Sequence, residues 1–93
     1  MSDPITLPLA PDCSLRTVKP LQADLITALA GGEVVVLDCA RVERADIAFV
    51  QLVLAASGTA ERSGKRIGLS NMPAPVAAAF QRAGVAVPLL TLS

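Results

Sequence analysis

Val34-Val35-Val36-Leu37 is the stretch that most constrains how this chain can fold. Four consecutive branched apolar residues, closed by Asp38, leave no polar side to turn toward water. Such a run suits a central strand covered on both faces, as in parallel sheets, where the crossovers between strands are helices. The sequence on either side supplies those helices. Upstream, Val18, Leu21, Leu25, Ala28 and Leu29 recur at helical spacing, with Thr17 as a fair N-cap and Pro20 tolerated in the first turn. Gly31-Gly32 stops that helix. Downstream, Asp46 is placed to accept from the unpaired amides of a first helical turn. Phe49, Val50, Leu52, Val53, Leu54, Ala56 and Ala60 then form a broad apolar surface, and Gln51, Ala55, Thr59 and Arg62 a more polar side.

Three further elements complete the pattern. Ile5-Thr6-Leu7-Pro8-Leu9 alternates and reads as a strand, which Pro8 assigns to an edge. Arg66-Ile67-Gly68-Leu69-Ser70 reads as another strand after the Ser63-Gly64-Lys65 break. Pro73 and Pro75 frame a helix carrying Val76, Ala79, Phe80 and Ala83 inward and ending at Gly84. Val87-Pro88-Leu89-Leu90-Thr91-Leu92 is a last strand or extended tail. The order β-α-β-α-β-α-β predicts an α/β fold, with a mostly parallel central sheet of about four strands flanked by about three helices. The 93 residues suffice for one domain, residues 1–93, and the 53% hydrophobic content is core material for it.

Charge and composition narrow the function. Eight basic residues balance eight acidic ones, so no surplus exists to neutralise phosphates, and nucleic acid is not an expected partner. The same balance offers little repulsion against self-association, so a homodimer is one expectation. No run approaches the ~20 apolar residues of a membrane span. Met1-Ser2-Asp3-Pro4 lacks the basic start of an export signal, so the expected location is cytoplasmic. Cys13 and Cys39 are then expected to be reduced, buried thiols. Two separated cysteines without a single histidine do not make a metal site, and no cofactor is expected.

Catalytic chemistry finds little support. The absence of histidine removes the commonest general base and the usual triads. Ser57-Gly58 lacks the first glycine of a nucleophile elbow, and Gly64-Lys65 lacks the rest of a phosphate loop. Asp38 and Asp46 both fall near the sheet edge where open α/β folds place ligands. Their plainer roles are to end a strand and to cap a helix. The expectation is a chain without catalytic residues.

From Val34 to Gly84 the pattern resembles the STAS domain, the family of sulphate-transporter tails and anti-anti-sigma factors. The residues that carry the resemblance are Val34-Val35-Val36-Leu37-Asp38, then Val42-Glu43-Arg44-Ala45-Asp46 opening a helix, then Ser63-Gly64-Lys65-Arg66-Ile67. Asn71-Met72-Pro73 and Phe80-Gln81-Arg82-Ala83-Gly84 follow at matching spacing. The family's phosphorylated serine stands directly after the helix-opening aspartate. Here that position is Ile47, followed by Ala48, with Phe49 where the family keeps glycine. The resemblance implies a regulatory protein-binding module without the serine phosphorylation switch. Its partner is expected to be an anti-sigma-like kinase or another signalling protein, such as a chemotaxis component. The alternatives are an accessory subunit of an ABC lipid transporter, or a self-associating assembly subunit. The expected contact residues are Arg44, Asp46, Ile47, Ala48, Phe49 and Gln51. Phe49 is either part of that surface or folded inward among small alanines.

Overall fold

A computed structural model describes residues 4–84 and 90–92 of the chain. Its elements run β1 (Ile5–Pro8), β2 (Asp12–Cys13), α1 (Val18–Gly31), β3 (Val34–Asp38), β4 (Arg44–Ala45), α2 (Ile47–Arg62), β5 (Arg66–Ser70), α3 (Ala74–Arg82) and β6 (Leu90–Leu92). The main sheet has the order β1-β3-β5-β6, with every neighbouring pair parallel. The predicted α/β architecture of four main strands and three helices is therefore present. A second ladder, of only two residues a side, pairs β2 with β4 in parallel and was not foreseen. Residues 87–89 of the expected last strand lie outside the described residues.

The strand order advances in one direction along the sheet. Parallel crossovers are right-handed almost without exception, so an advancing order sets successive helices on the same face. Their packing agrees: α1 lies against α2, and α2 against α3. The three middle residues of β3, Val35, Val36 and Leu37, are buried, as the unbroken apolar run implies. Val35 and Leu37 of β3 join the main core with Ile67 and Leu69 of β5, while Ile5 and Leu7 of β1 pack against it. Val36 is buried but points the other way, in register with Thr6 and Gly68.

Each helix presents to this face the stripe its spacing dictates. Leu25 and Ala28 are the buried positions of α1. Phe49, Val50, Val53, Ser57 and Ala60 are those of α2, and Val76, Ala79 and Phe80 those of α3. Fully burying side chains of the size of Val, Leu or Phe stabilises the fold by about 1.5–3 kcal/mol each. Phe49 and Phe80 meet edge to face, with ring centroids 6.4 Å apart and planes at 81°. This contact ties α2 to α3.

Two helix ends differ from expectation in a telling way. Thr17 occupies the N-cap position of α1, but its hydroxyl does not cap; it donates to Asp12 O at 2.8 Å instead. Gly32 ends α1 in an extended conformation, not a left-handed one. A Cβ there would come within 2.7 Å of Ile5 Cδ1 on β1, so the end of that side chain would have to shift. Gly64, at φ 72°, does use the left-handed region that glycine favours, where the chain turns from α2 into β5. No helix among the described residues is long and apolar enough to cross a membrane.

Candidate functional site

The short β2–β4 ladder builds one edge of the molecule, at the C-terminal ends of β1 and β3. After β1, Pro11 O accepts from the amides of both Glu43 (2.8 Å) and Arg44 (3.0 Å). The pairing then continues through Asp12 with Arg44 and Cys13 with Ala45. These contacts hold the segment leading into α1 beside the segment leading into α2. Beyond Cys13 the chain turns sharply. Thr17 N donates to Ser14 O at 2.9 Å, and Ser14 N to Thr17 Oγ1 at 3.1 Å. The turn pushes Leu15 outward.

Asp46 joins the two segments. Its Oδ1 accepts from the amides of Ala48 (3.0 Å) and Phe49 (3.2 Å), capping α2. Its Oδ2 accepts from the amide of Leu15 at 3.0 Å. One carboxylate therefore fixes two loops that lie 31 residues apart in sequence. On either side of it stand two apolar side chains that do not enter the core, Leu15, 71% exposed, and Ile47, 54% exposed. Gln51, one turn after Ile47 and on the same helix face, is also exposed, as is Arg44; Ala48 is half-buried. An open hollow of about 300 Å³ adjoins them, lined by Asp46, Ile47, Ala79, Arg82 and Ala83.

Phe49 does not belong to this surface. It is only 1% exposed and lies against Phe80, so its place among the expected contact residues is corrected: it supports the first turn of α2 from within. The reason is helical phase. Phe49 shares the stripe of Val53 and Ala60, whereas Ile47 falls outside it. Arg44, Asp46, Ile47, Ala48 and Gln51 are brought together at one edge. Sequence reasoning missed Leu15 and Arg82. A lone leucine between Ser14 and Arg16, off the helical stripe, was the available signal for the first. Arg82 sits more than 30 positions away from the others and becomes a neighbour only through the packing of α3.

The second aspartate of the edge has a structural role as well. Asp38 Oδ1 accepts from Asn71 Nδ2 at 3.1 Å and from the amide of Ala40 at 3.0 Å. The Asn71 bond, then the Ala40 amide, hold its carboxyl below the usual range. Asn71 reaches it from a left-handed backbone conformation, φ 52°. Cys13 and Cys39 are both unpaired and buried. Burial pushes the Cys13 thiol up to about 11, with Asp12 adding to the shift. Burial raises Cys39 to about 12, with Cys13 and Asp38 contributing. Among the described residues no group of three Cys, Asp or Glu side chains is arranged to hold a metal ion.

A family model described as "Mlab, STAS domain" matches residues 2–91, nearly the whole chain. The chain belongs to the STAS domain family. Solved STAS structures share its fold at low identity. SpoIIAA, an anti-sigma factor antagonist, superimposes in its unphosphorylated form with a TM-score of 0.77 at 22% identity, covering 98% of this chain and 81% of that one. The phosphorylated form of SpoIIAA, from Bacillus, gives 0.70 at 21% identity, covering 97% and 83%. A sulfate transporter family protein from Wolinella succinogenes gives 0.74 at 15% identity, covering 95% and 75%. No curated protein matches the chain in sequence. The STAS membership makes the edge around Asp46 the part of the chain to examine for function, since the resemblance places the family's phosphoserine position there.

Proposed function

We propose that this STAS domain is a non-enzymatic regulatory module that binds another protein through the edge formed by Leu15, Arg44, Ile47, Ala48 and Gln51. The observation that carries this reading is the exposure of Ile47 directly after the capping Asp46. More than half of the Ile47 side chain stays outside the core, next to exposed Leu15, and apolar centres with polar rims are the usual anatomy of binding sites. The resemblance puts the family's switch serine at this position. Isoleucine accepts no phosphate, so no kinase can add charge at this position. The module is then permanently in the form that a phosphate would otherwise interrupt by adding charge and bulk. STAS domains are generally regulatory modules and not enzymes, which agrees with the chain's lack of histidine.

The partner under this reading is a cytoplasmic signalling protein, an anti-sigma-like kinase or a chemotaxis component. A second reading, an accessory subunit of an ABC lipid transporter, rests on the same STAS resemblance. Both use the same edge. Co-expression with the kinase, chemotaxis or transporter ATPase encoded beside this chain's gene separates them. The reading expects one of these to co-purify, and Ile47→Asp to abolish co-purification without unfolding the domain. Co-purification undiminished by Ile47→Asp places the working surface elsewhere.

A further inference from the structure

Resting on the reading of the Ile47 edge as a binding surface, we infer that the partner meets it with an amphipathic segment whose apolar centre is ringed by carboxylates. The charges of this edge are unequal in what they leave available. Asp46 is engaged by three backbone amides, and Asp38 by Asn71 and the Ala40 amide. Asp12, Asp38 and Asp46 are all partly buried, which leaves Glu43 as the exposed acid of these loops. Against it stand four exposed arginines: Arg16 beside Leu15, Arg41 after β3, Arg44 on β4 and Arg82 beside the hollow.

Among the described residues none of these four guanidinium groups donates a hydrogen bond to the rest of the chain; the arginine that does so is Arg62, to Thr59 Oγ1. Each carries five donors in a planar fork suited to carboxylates. At the centre, Ile47 and Leu15 project, while the hollow is lined by Ile47, Ala79, Ala83 and Arg82 together with Asp46, whose carboxylate already accepts from three backbone amides. A partner side chain seated there meets the apolar groups of Ile47, Ala79 and Ala83, the Arg82 guanidinium and the amide-bound Asp46 carboxylate. The complement is an apolar anchor with Asp or Glu on both sides of it. A basic segment would meet four exposed guanidinium groups and only one exposed carboxylate, Glu43, since the other acids of the edge are partly buried.

The test titrates the full ¹⁵N-labelled chain with three synthetic helical peptides that share one leucine stripe and differ only at the flanking positions, which are Glu, Gln or Lys. The inference expects the Glu peptide to bind most tightly and to shift the amides of Leu15, Arg44, Ile47, Ala48 and Ala83. Its affinity should fall about tenfold or more between roughly 50 and 500 mM salt, and the Arg44→Glu, Arg82→Glu double variant should lose a similar factor. Equal binding of the Gln and Glu peptides, or indifference to salt, overturns the acidic partner while leaving the edge as the binding surface. Shifts confined to the groove between α1 and α2, at Ile26, Leu29 and Thr59, overturn the edge itself. If none of the three peptides binds, the inference of an amphipathic acidic segment fails, and the fate of the edge is decided separately by the Ile47→Asp co-purification.

Discussion

Replacing Asp46 by alanine removes three hydrogen bonds with one substitution, and the structure says how each loss should register. The two bonds to Ala48 and Phe49 are an N-cap, whose deletion typically costs about 0.5–2 kcal/mol. The bond to the Leu15 amide is exposed, so water replaces part of it and its loss adds less than the ~1.5–3 kcal/mol of a charged hydrogen bond out of water. Together they suggest about 1–3 kcal/mol. At roughly 4–8 °C per kcal/mol for a domain of this size, Asp46→Ala should melt on the order of 5–20 °C below wild type. Asp46→Asn separates the two roles. Its side-chain oxygen still caps α2, but its amide nitrogen faces the Leu15 N–H with a donor where an acceptor stood. The Asn variant should keep most of the melting temperature while the Leu15 amide exchanges faster with solvent, and Asp46→Ser should behave likewise. Thermal melts followed by circular dichroism and amide exchange followed by NMR provide both readouts. An Asp46→Ala variant that melts with wild type, or an Asn variant whose Leu15 amide remains as protected as before, would refute the two-handed role of this carboxylate.

Other consequences are as direct. Leu37 is fully buried at the centre of the sheet, so Leu37→Ala should cost about 2–5 kcal/mol in denaturant unfolding, and a near-neutral result would misplace β3. The raised thiols of Cys13 and Cys39 favour the protonated folded form; that contribution is complete below about pH 9 and is lost as pH rises toward about 11 and 12. Native protein at pH 8 should accordingly react slowly with a disulfide reagent, and a Cys13→Ala, Cys39→Ala variant should lose stability less steeply above pH 9; rapid native labelling contradicts this. Asn71→Gly keeps the left-handed turn but removes the bond to Asp38, so the Asp38 carboxyl should titrate higher than in wild type by NMR. An unchanged titration assigns the depression to other groups.

Much of this fold could be read from apolar spacing, because three helices and the strands between them each carry one strong period. The β3 run, the α2 stripe and the Asp46 cap are local features, and the structure places them as their spacing implies. What escaped the sequence has in common that it depends on distant neighbours. A ladder two residues long, β2 with β4, has no period to detect, and it forms because Pro11 O happens to lie where two amides of the following loop can reach it. Thr17 has the residue type and position of an N-cap, yet the turn it closes offers its hydroxyl nearer partners. The side of α2 on which Phe49 falls was ambiguous because Ile47, Ala48, Phe49 and Val50 are all apolar. The stripe shared with Val53 and Ala60, together with the aromatic partner Phe80 on α3, resolves it. The same logic explains the candidate site: Asp46 and Ile47 were legible from the helix start and the family pattern, whereas Leu15 and Arg82 come to that edge through tertiary packing.

Under the proposed function the Ile47 edge, and not some other apolar surface, binds the partner. The domain contains its own control. Ile26, on the outer side of α1, is 62% exposed, more than Ile47, and lines the separate groove between α1 and α2. The most direct measurement is co-purification of the partner encoded beside the gene with wild type, Ile47→Asp and Ile26→Asp, each checked for an unchanged melting temperature. Loss of the complex with Ile47→Asp and its retention with Ile26→Asp is the predicted result. Retention with Ile47→Asp and loss with Ile26→Asp would contradict the account and move the binding surface to the α1–α2 groove.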